Sequence, residues 1–257
     1  MSHIPLSVFI IAQDEADRIG NTIRSVVDWV DEVIVIDSGS IDDTVAHSEA
    51  LGARVLHNAW KGYGAQKRFG ESQCRNRWIL NLDADEVVST TLREELLTLF
   101  AAGDIPHAGY LLHRVELYNS HKTPRAWSPT TDWLRLYRKD KAGYRDDPVH
   151  DVVDVHSGST GKLRGRLHHH SFRSYAHHIA KINDYSDAQA QNLYRKGKNP
   201  SWLKLLLTPP ITFLKYLLVR RLIVYGIDGV VLSYVISFHR LARLAKAREL
   251  HQSGDQQ

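Results

Sequence analysis

One stretch constrains this chain more than any other. In Trp78-Ile79-Leu80-Asn81-Leu82-Asp83-Ala84-Asp85-Glu86 an apolar run ends in three carboxylates within four residues. The run is short, bounded and hydrophobic, which predicts a buried parallel strand. Successive strand side chains point to opposite faces, so Asp83 and Asp85 converge only where the strand ends and the backbone turns. In open α/β folds that place is the carboxyl edge of the sheet, where ligands bind. Two carboxylates there repel unless a proton or a cation stands between them. A hard divalent cation with positions left for phosphate oxygens suits such a site. The competing reading of the stretch alone is a polar loop whose acids cap a helix.

The residues before it supply the rest of that edge. Leu6 to Ile11 is strand-like and is followed by Asp14 and Glu15. Ile19, Ile23, Val26, Val27 and Val30 recur at helical spacing. Val33-Ile34-Val35-Ile36 forms a second strand that closes on Asp37. Ser40 with Asp43 has the spacing of a helix-capping pair. Gly52 ends that helix, Arg54 to Leu56 forms a third strand, and Tyr63 to Arg75 a helix. A further helix carries Leu92, Leu96, Leu97 and Phe100 on one face and starts near Thr90 or Thr91. Strands alternating with helices over short connections predict a mostly parallel α/β sheet. Right-handed crossovers then bring Asp14, Asp37, Asp83 and Asp85 to one crevice.

Two nucleotide motifs are absent. Gly62-Tyr63-Gly64 opens like a dinucleotide fingerprint, but its last glycine position is Lys67. Gly161-Lys162 lacks both the earlier glycine of a phosphate loop, His156 standing there, and the following hydroxyl residue, replaced by Leu163. The single Cys74 excludes an internal disulfide framework and suits a reducing compartment. The run from Ile4 to Ala12 has no basic leader or cleavage site, so it reads as a strand rather than a signal peptide. A net charge of +4 favours an anionic partner; no nucleic-acid partner is expected.

The segments Ser7-Val8-Phe9-Ile10-Ile11 with Asp14-Glu15, Val35 to Thr44, and Asn81 to Glu86 together resemble family 2 glycosyltransferases of GT-A fold. The similarity is greatest to bacterial lipopolysaccharide core β-glucosyltransferases. It is strong over residues 5–90 and weaker beyond. The resemblance implies a Rossmann-like sheet flanked by helices, a UDP-hexose donor and inversion at the anomeric carbon. It also implies a divalent cation, Mg2+ or Mn2+, on Asp85 and Asp83, and donor contacts from Asp14, Glu15, Asp37, Gln66, Lys67 and Asp83. In the family a Val-His-Glu stretch carries the proposed base. Here Val149-His150-Asp151 stands at that point, one methylene shorter, so Asp151 is the expected general base with Asp147 in reserve. Arg135 is a candidate phosphate contact with a solvated charge as the alternative, and His170 and His150 are secondary candidates. Lys162, Arg164 and Arg166 alternate along a strand and could face an anionic acceptor.

Residues 1–170 are thus expected to form the catalytic domain, donor-binding over 1–105 and acceptor-binding with the base over 106–170. Residues 171–257 form a helical extension. Within it Tyr175 to Tyr194 reads as a helix, Trp202 to Val219 is apolar apart from Lys204 and Lys215, and Leu222 to Phe238 is apolar apart from Asp228. An acid near the centre of the Leu222 stretch argues against a membrane span there. Amphipathic helices lying at an anionic membrane surface are the expectation, with domain packing or a homo-oligomer interface as alternatives. The combined reading is a peripheral enzyme on the inner face of the cytoplasmic membrane that glycosylates a lipid-linked saccharide such as core heptose. Capsular, other polysaccharide or protein acceptors, a nucleotidyltransferase, and a non-catalytic sugar-nucleotide or membrane-binding module are the competing classes.

Overall fold

The structure, a computed structural model, describes residues 3–118, 124, 125, 127–145 and 152–254. These gather into two compact units. One comprises Met1–Val115 with Thr130–His170, the other Glu116–Pro129 with Ser171–Gln257.

The first unit is built on an eight-stranded sheet. Its elements run β1 (Ile4–Ala12), α1 (Ile19–Arg24), β2 (Val30–Asp37), α2 (Thr44–Ala50), β3 (Arg54–His57), α3 (Tyr63–Gln73), β4 (Trp78–Asp83), β5 (Glu86–Val88), α4 (Thr90–Ala101), β6 (Gly109–Glu116), β7 (Thr130–Arg138), β8 (Ala142–Tyr144), β9 (Val153–Val155) and β10 (Thr160–His169). The sheet order is β3-β2-β1-β4-β7-β6-β10-β5, with β8 and β9 forming a separate pair. β3, β2, β1 and β4 are parallel neighbours, and β7 then joins β4 antiparallel. This mostly parallel half, flanked by helices, is the α/β architecture expected of a GT-A chain.

The central strands are buried on both faces. Leu6, Val8 and Ile10 of β1 join Val33 and Val35 of β2 in one core. Phe9 and Ile11 join Ile34 and Ile36 in the other. That is why these strands read as unbroken apolar runs in the sequence. Gly70 lets α3 lie directly on β1: a Cβ there would stand 2.5 Å from the Phe9 ring. This close approach sets the depth at which α3 carries Gln66 and Lys67.

One local expectation is corrected and one competing reading is set aside. Ser40 and Asp43 do not cap α2 together. Asp43 makes no side-chain cap bond, and Asp42 accepts from the Thr44 amide at 3.0 Å instead. The acidic stretch is also not a plain loop, because Glu86 opens β5, which pairs antiparallel with β10. The helix expected near Thr90 starts there, with the Ser89 hydroxyl accepting from the Leu92 amide.

The second unit is helical: α5 (Tyr175–Arg195), α6 (Trp202–Leu214) continuing into a π turn (Lys215–Val219), a 3-10 turn (Leu222–Tyr225) and α7 (Ile227–Gly254). Leu222, Tyr225 and Leu232 form its small core, with Tyr118 packed against it. The apolar Leu222 stretch is not one helix. Gly226 takes a positive φ of 62° and separates the 3-10 turn from α7. Among the described residues, Trp202–Val219 is long and apolar enough to cross a membrane, with mean hydropathy 1.3 and 6% of it buried.

Candidate active site

The end of β4 gathers the acids. Asn81 is fully buried and turns its side chain into the structure, although it sits in an apolar strand. Its Oδ1 accepts from the Arg135 guanidinium at 2.7 Å and from the Tyr144 hydroxyl at 2.6 Å. Arg135, carried by β7 and 2% exposed, also reaches Asp83 at 2.6 Å and Glu86 at 2.8 Å. It is therefore not the solvated charge that the sequence left open. Lys67, carried by α3 and fully buried, completes the pairing at 3.1 Å from Asp83 Oδ1. The repulsion between neighbouring carboxylates is thus relieved by two side-chain cations.

Asp85 sits in the turn between β4 and β5 and is served differently. Its carboxylate lies 3.2 Å from Arg18 and 3.2 Å from His169 Nε2. Glu15 pairs with Arg18 and so aims it at Asp85. The β5–β10 pairing places His169 opposite Glu86, which is what brings its ring over the turn. His170 serves through its backbone: its amide donates to the Asp85 carbonyl at 2.8 Å, and its carbonyl accepts from Arg18 at 3.1 Å. Burial pushes the His170 imidazole toward its neutral form.

These partners set the charge states. Burial raises the Asp83 carboxyl, but Arg135 and Lys67 outweigh it and hold the group well below the usual carboxylate range. Burial likewise opposes Asp85, whose bond to His169 and attraction to Arg18 keep it low. Glu86, with no exposed side chain, is raised, because burial dominates the pull of Arg135. The Asp83 and Asp85 side chains remain 28% and 15% exposed, so the two ionised carboxylates are reachable from solvent.

The other acids shape the edge. Asp14 holds a left-handed backbone, φ 54°, a conformation uncommon for a non-glycine residue. Its carboxylate accepts from the Ile41 amide at 2.8 Å, and its own amide donates to Ser40 Oγ at 3.0 Å. The Glu15 amide donates to Thr44 Oγ1 at 2.8 Å. The β1–α1 and β2–α2 loops are thereby stitched together. Asp37 is 4% exposed and receives the Gly39 amide at 2.9 Å and the Ser40 amide at 3.1 Å. Gln66 ties the same turn to the end of β3, donating to Ser38 Oγ at 2.9 Å and the Asn58 carbonyl at 3.1 Å. Asp14, Glu15, Asp37 and Gln66 thus order one loop cluster, while Lys67, Asp83, Asp85 and Arg135 form the charged centre.

Asp147, His150 and Asp151 lie outside the described residues. Lys162 pairs with Asp132 at 2.7 Å. Sequence reasoning missed Arg18, Tyr144 and Glu71, and from the run His168-His169-His170 it chose His170 where the side chain beside Asp85 is that of His169. Glu71 accepts from the Tyr137 hydroxyl at 2.6 Å and the Tyr144 amide at 3.1 Å, which fixes β8. For His169 a signal existed. Leu163 and Leu167 are buried on β10, and His169 continues their alternation whereas His170 does not.

A family model described as Glycosyl transferase family 2 matches residues 7–161. An uncharacterized glycosyltransferase of Rickettsia felis is 41% identical over 255 residues, 95% of this chain and 89% of that protein. The lipopolysaccharide core biosynthesis glycosyltransferase LpsC of Rhizobium meliloti is 32% identical over 255 residues, 96% of this chain and 93% of its own. Among solved structures, glucosyl-3-phosphoglycerate synthase from Mycobacterium tuberculosis, in complex with Mn2+, UDP and glucosyl-3-phosphoglycerate, matches 46% of this chain and 45% of its own at 24% identity and a TM-score of 0.35. With a family model over more than half of its length and relatives matched nearly end to end, the chain belongs to glycosyl transferase family 2 and is a glycosyltransferase.

Proposed function

We propose that this glycosyltransferase transfers a hexose, glucose being the first choice, from a UDP-sugar to a lipid-linked saccharide of the lipopolysaccharide core type, with inversion and with a divalent cation. The observation that carries the reading is the pair of solvent-reachable, ionised carboxylates Asp83 and Asp85 at the carboxyl edge of the sheet. Full-length similarity to a core biosynthesis enzyme supports the acceptor class.

The donor set fits a cation such as Mg2+ or Mn2+. Among the described residues no three His, Cys, Asp or Glu side chains converge as a complete protein cage. Asp85 and Asp83 offer hard oxygens with the His169 ring beside them, and ions of this kind complete their shell with water and substrate phosphates. When bound, the cation would supply stabilisation of the charge that develops on the departing diphosphate. Lys67 and Arg135 keep Asp83 ionised and fixed in place. Arg18 holds Asp85 and is itself oriented by Glu15. The loops ordered by Asp14, Asp37 and Gln66 form the wall on which a nucleoside would rest. Asp151 is the proposed base that takes the proton of the acceptor hydroxyl.

A location at the inner face of the cytoplasmic membrane fits a lipid-linked acceptor. Trp202, Leu206, Ile211, Leu218 and Val219 of the second unit are each more than half exposed, an apolar strip suited to a membrane interface. The test incubates the full chain with UDP-glucose, Mn2+ or Mg2+, and lipopolysaccharide core ending in heptose. The expected product is a glucosylated core whose formation stops on chelation and in Asp85→Ala. Full transfer by Asp85→Ala overturns the proposed site.

A further inference from the structure

The helical unit contains a cavity unrelated to the acidic edge. It is about 330 Å3, lined by His178, Lys181, Ile182 and Tyr185 of α5, Tyr216 of the π turn, and Ile236, His239 and Arg240 of α7. Its walls are carbon, its polar groups are cations or imidazoles, and no carboxylate lines it. The same two helices pair one other cation with an acid. Further along, Lys246 of α7 meets Asp187 of α5 at 2.7 Å and Asn183 Oδ1 at 2.9 Å. Lys181 and Arg240 have no such carboxylate partner among the described residues; Lys181 lies over the Tyr185 ring, 5.7 Å from its centre. His239 Nε2 is buried without a hydrogen-bond partner. Burial, with the charges of Lys181 and Arg240 behind it, pushes His178 and His239 toward neutral imidazoles that still donate hydrogen bonds.

An exposed Lys181 and a half-buried Arg240 on one cavity wall, with a buried His239 ring nitrogen that lacks a hydrogen-bond partner, make a setting that favours an anion. The volume is on the order of ten times the roughly 30 Å3 that a water occupies in the liquid, more than a bare phosphate requires. Ile182, Ile236, Tyr185 and Tyr216 would stay wet around a small inorganic ion. Tyr216 also continues α6, and Ile211 and Leu214 of α6 and Leu218 of the same π turn are exposed near it in sequence.

We propose that the cavity between α5 and α7 binds the phosphate ester head of an amphiphile, with Lys181 and Arg240 on the phosphate and the isoleucine and tyrosine walls around the first carbons of its tail. The site is separate from sugar transfer, so it stands or falls without the donor chemistry.

The test titrates the full chain, without nucleotide, by calorimetry. The probes are monomeric dihexanoyl phosphatidic acid, dihexanoylglycerol and inorganic phosphate. Saturable binding of the phosphatidic acid is expected, with neither half of the molecule sufficient alone. Lys181→Gln combined with Arg240→Gln should weaken it by about tenfold or more, the value of one lost charge-assisted bond. Equal affinity for inorganic phosphate assigns the cavity to a free anion and overturns the amphiphile. Unchanged affinity in the double variant overturns the site. Should that variant misfold, acetylation of Lys181 in the wild-type chain decides. Protection by phosphatidic acid supports the proposal, and no protection at saturating lipid overturns it.

Discussion

At the end of β4, carboxylates and cations meet in nearly equal number. Lys67 and Arg135 take Asp83, Arg135 takes Glu86, and Arg18 with His169 takes Asp85. Between α5 and α7, Lys181 and Arg240 line a cavity that holds no acid. The first arrangement is internally compensated and can be preorganised before any ligand arrives. The second leaves its charge for something outside the chain. A buried cation with partners is a scaffold, whereas cations without a carboxylate partner on the wall of an apolar cavity, exposed Lys181 and half-buried Arg240, are open to a ligand. Apolar surface is treated in the same contrast. β1 buries every side chain from Leu6 to Ala12, whereas α6 shows Leu206 at 61% and Ile211 at 60%.

The largest test of the compensated centre is Arg135→Met. Methionine fills the volume but leaves Asp83 and Glu86 short of a cation in a buried setting. Breaking a buried pair on one side costs about 3–5 kcal/mol. A drop of that size in urea unfolding, with the m-value unchanged, is expected. A loss below about 1 kcal/mol, within the range of surface pairs, would show that the centre relies on solvent rather than on Arg135. Asp85→Ala stands next. Removing a group that holds transition-state charge typically costs about a hundredfold or more in kcat, so transfer should fall by at least that factor while the melting temperature stays near the parent's. If stability falls and transfer does not, Asp85 serves the fold and not the cation.

Those two variants also mark what the sequence made legible. Parallel strands buried on both faces leave an uninterrupted apolar signature, so β1, β2 and β4 and the acids that end them could be placed from the chain alone. Lys67 and Arg135 were legible as candidates for the donor phosphates, but their pairing with the acids was not. Arg135 lies 52 residues from Asp83 and His169 reaches Asp85 only because β10 pairs with β5. Repulsion between Asp83 and Asp85 demanded a positive charge, and a metal was the one partner visible without tertiary contacts; the fold supplies Lys67 and Arg135 as well. β8 and β9 are three residues each, too short to show a period. In the helical half, composition found the apolar surface, and Asp228 argued against a span over Leu222 to Phe238; what hydropathy alone does not show is the 3-10 turn that precedes Gly226.

Acid should distinguish the two regions next. The folded-state pKa of Asp83 lies below its unfolded value of about 3.9. Its contribution to stability is therefore complete above about pH 4 and is lost as the pH falls through the lower folded value. The urea midpoint should decline below pH 4 in the parent, and Asp83→Asn should be less stable at pH 7 but decline less steeply in acid. Parallel curves would remove Asp83 from the acid limb. For the uncompensated region, Ile211→Glu with Leu218→Glu places charge on the exposed strip. Each loses roughly 1.5–3 kcal/mol of burial if the strip enters lipid. Sedimentation with equimolar phosphatidylcholine–phosphatidylglycerol vesicles should fall at least about tenfold, with no change in urea unfolding. Lost folding stability with unchanged sedimentation would instead make the strip an internal packing surface.

The smallest effect asks whether the compensated centre matters beyond its own charges. Tyr144 joins three parts of the first unit. Its amide is held by Glu71, its hydroxyl donates to Asn81, and its ring lies under Lys67, 5.4 Å from the ammonium. In sequence it precedes Asp151 by seven residues. Tyr144→Phe removes one neutral hydrogen bond, worth about 1 kcal/mol, and leaves the ring, the strand and the Arg135 bond to Asn81 in place. If Tyr144 is only a structural tie, urea unfolding should record that loss and kinetics should not move. If it also fixes the chain that leads to the proposed base, kcat should fall by more than the stability change accounts for while the KM for the donor holds. Rescue of kcat by low temperature, which would steady a loosened segment, should accompany the second outcome and be absent from the first.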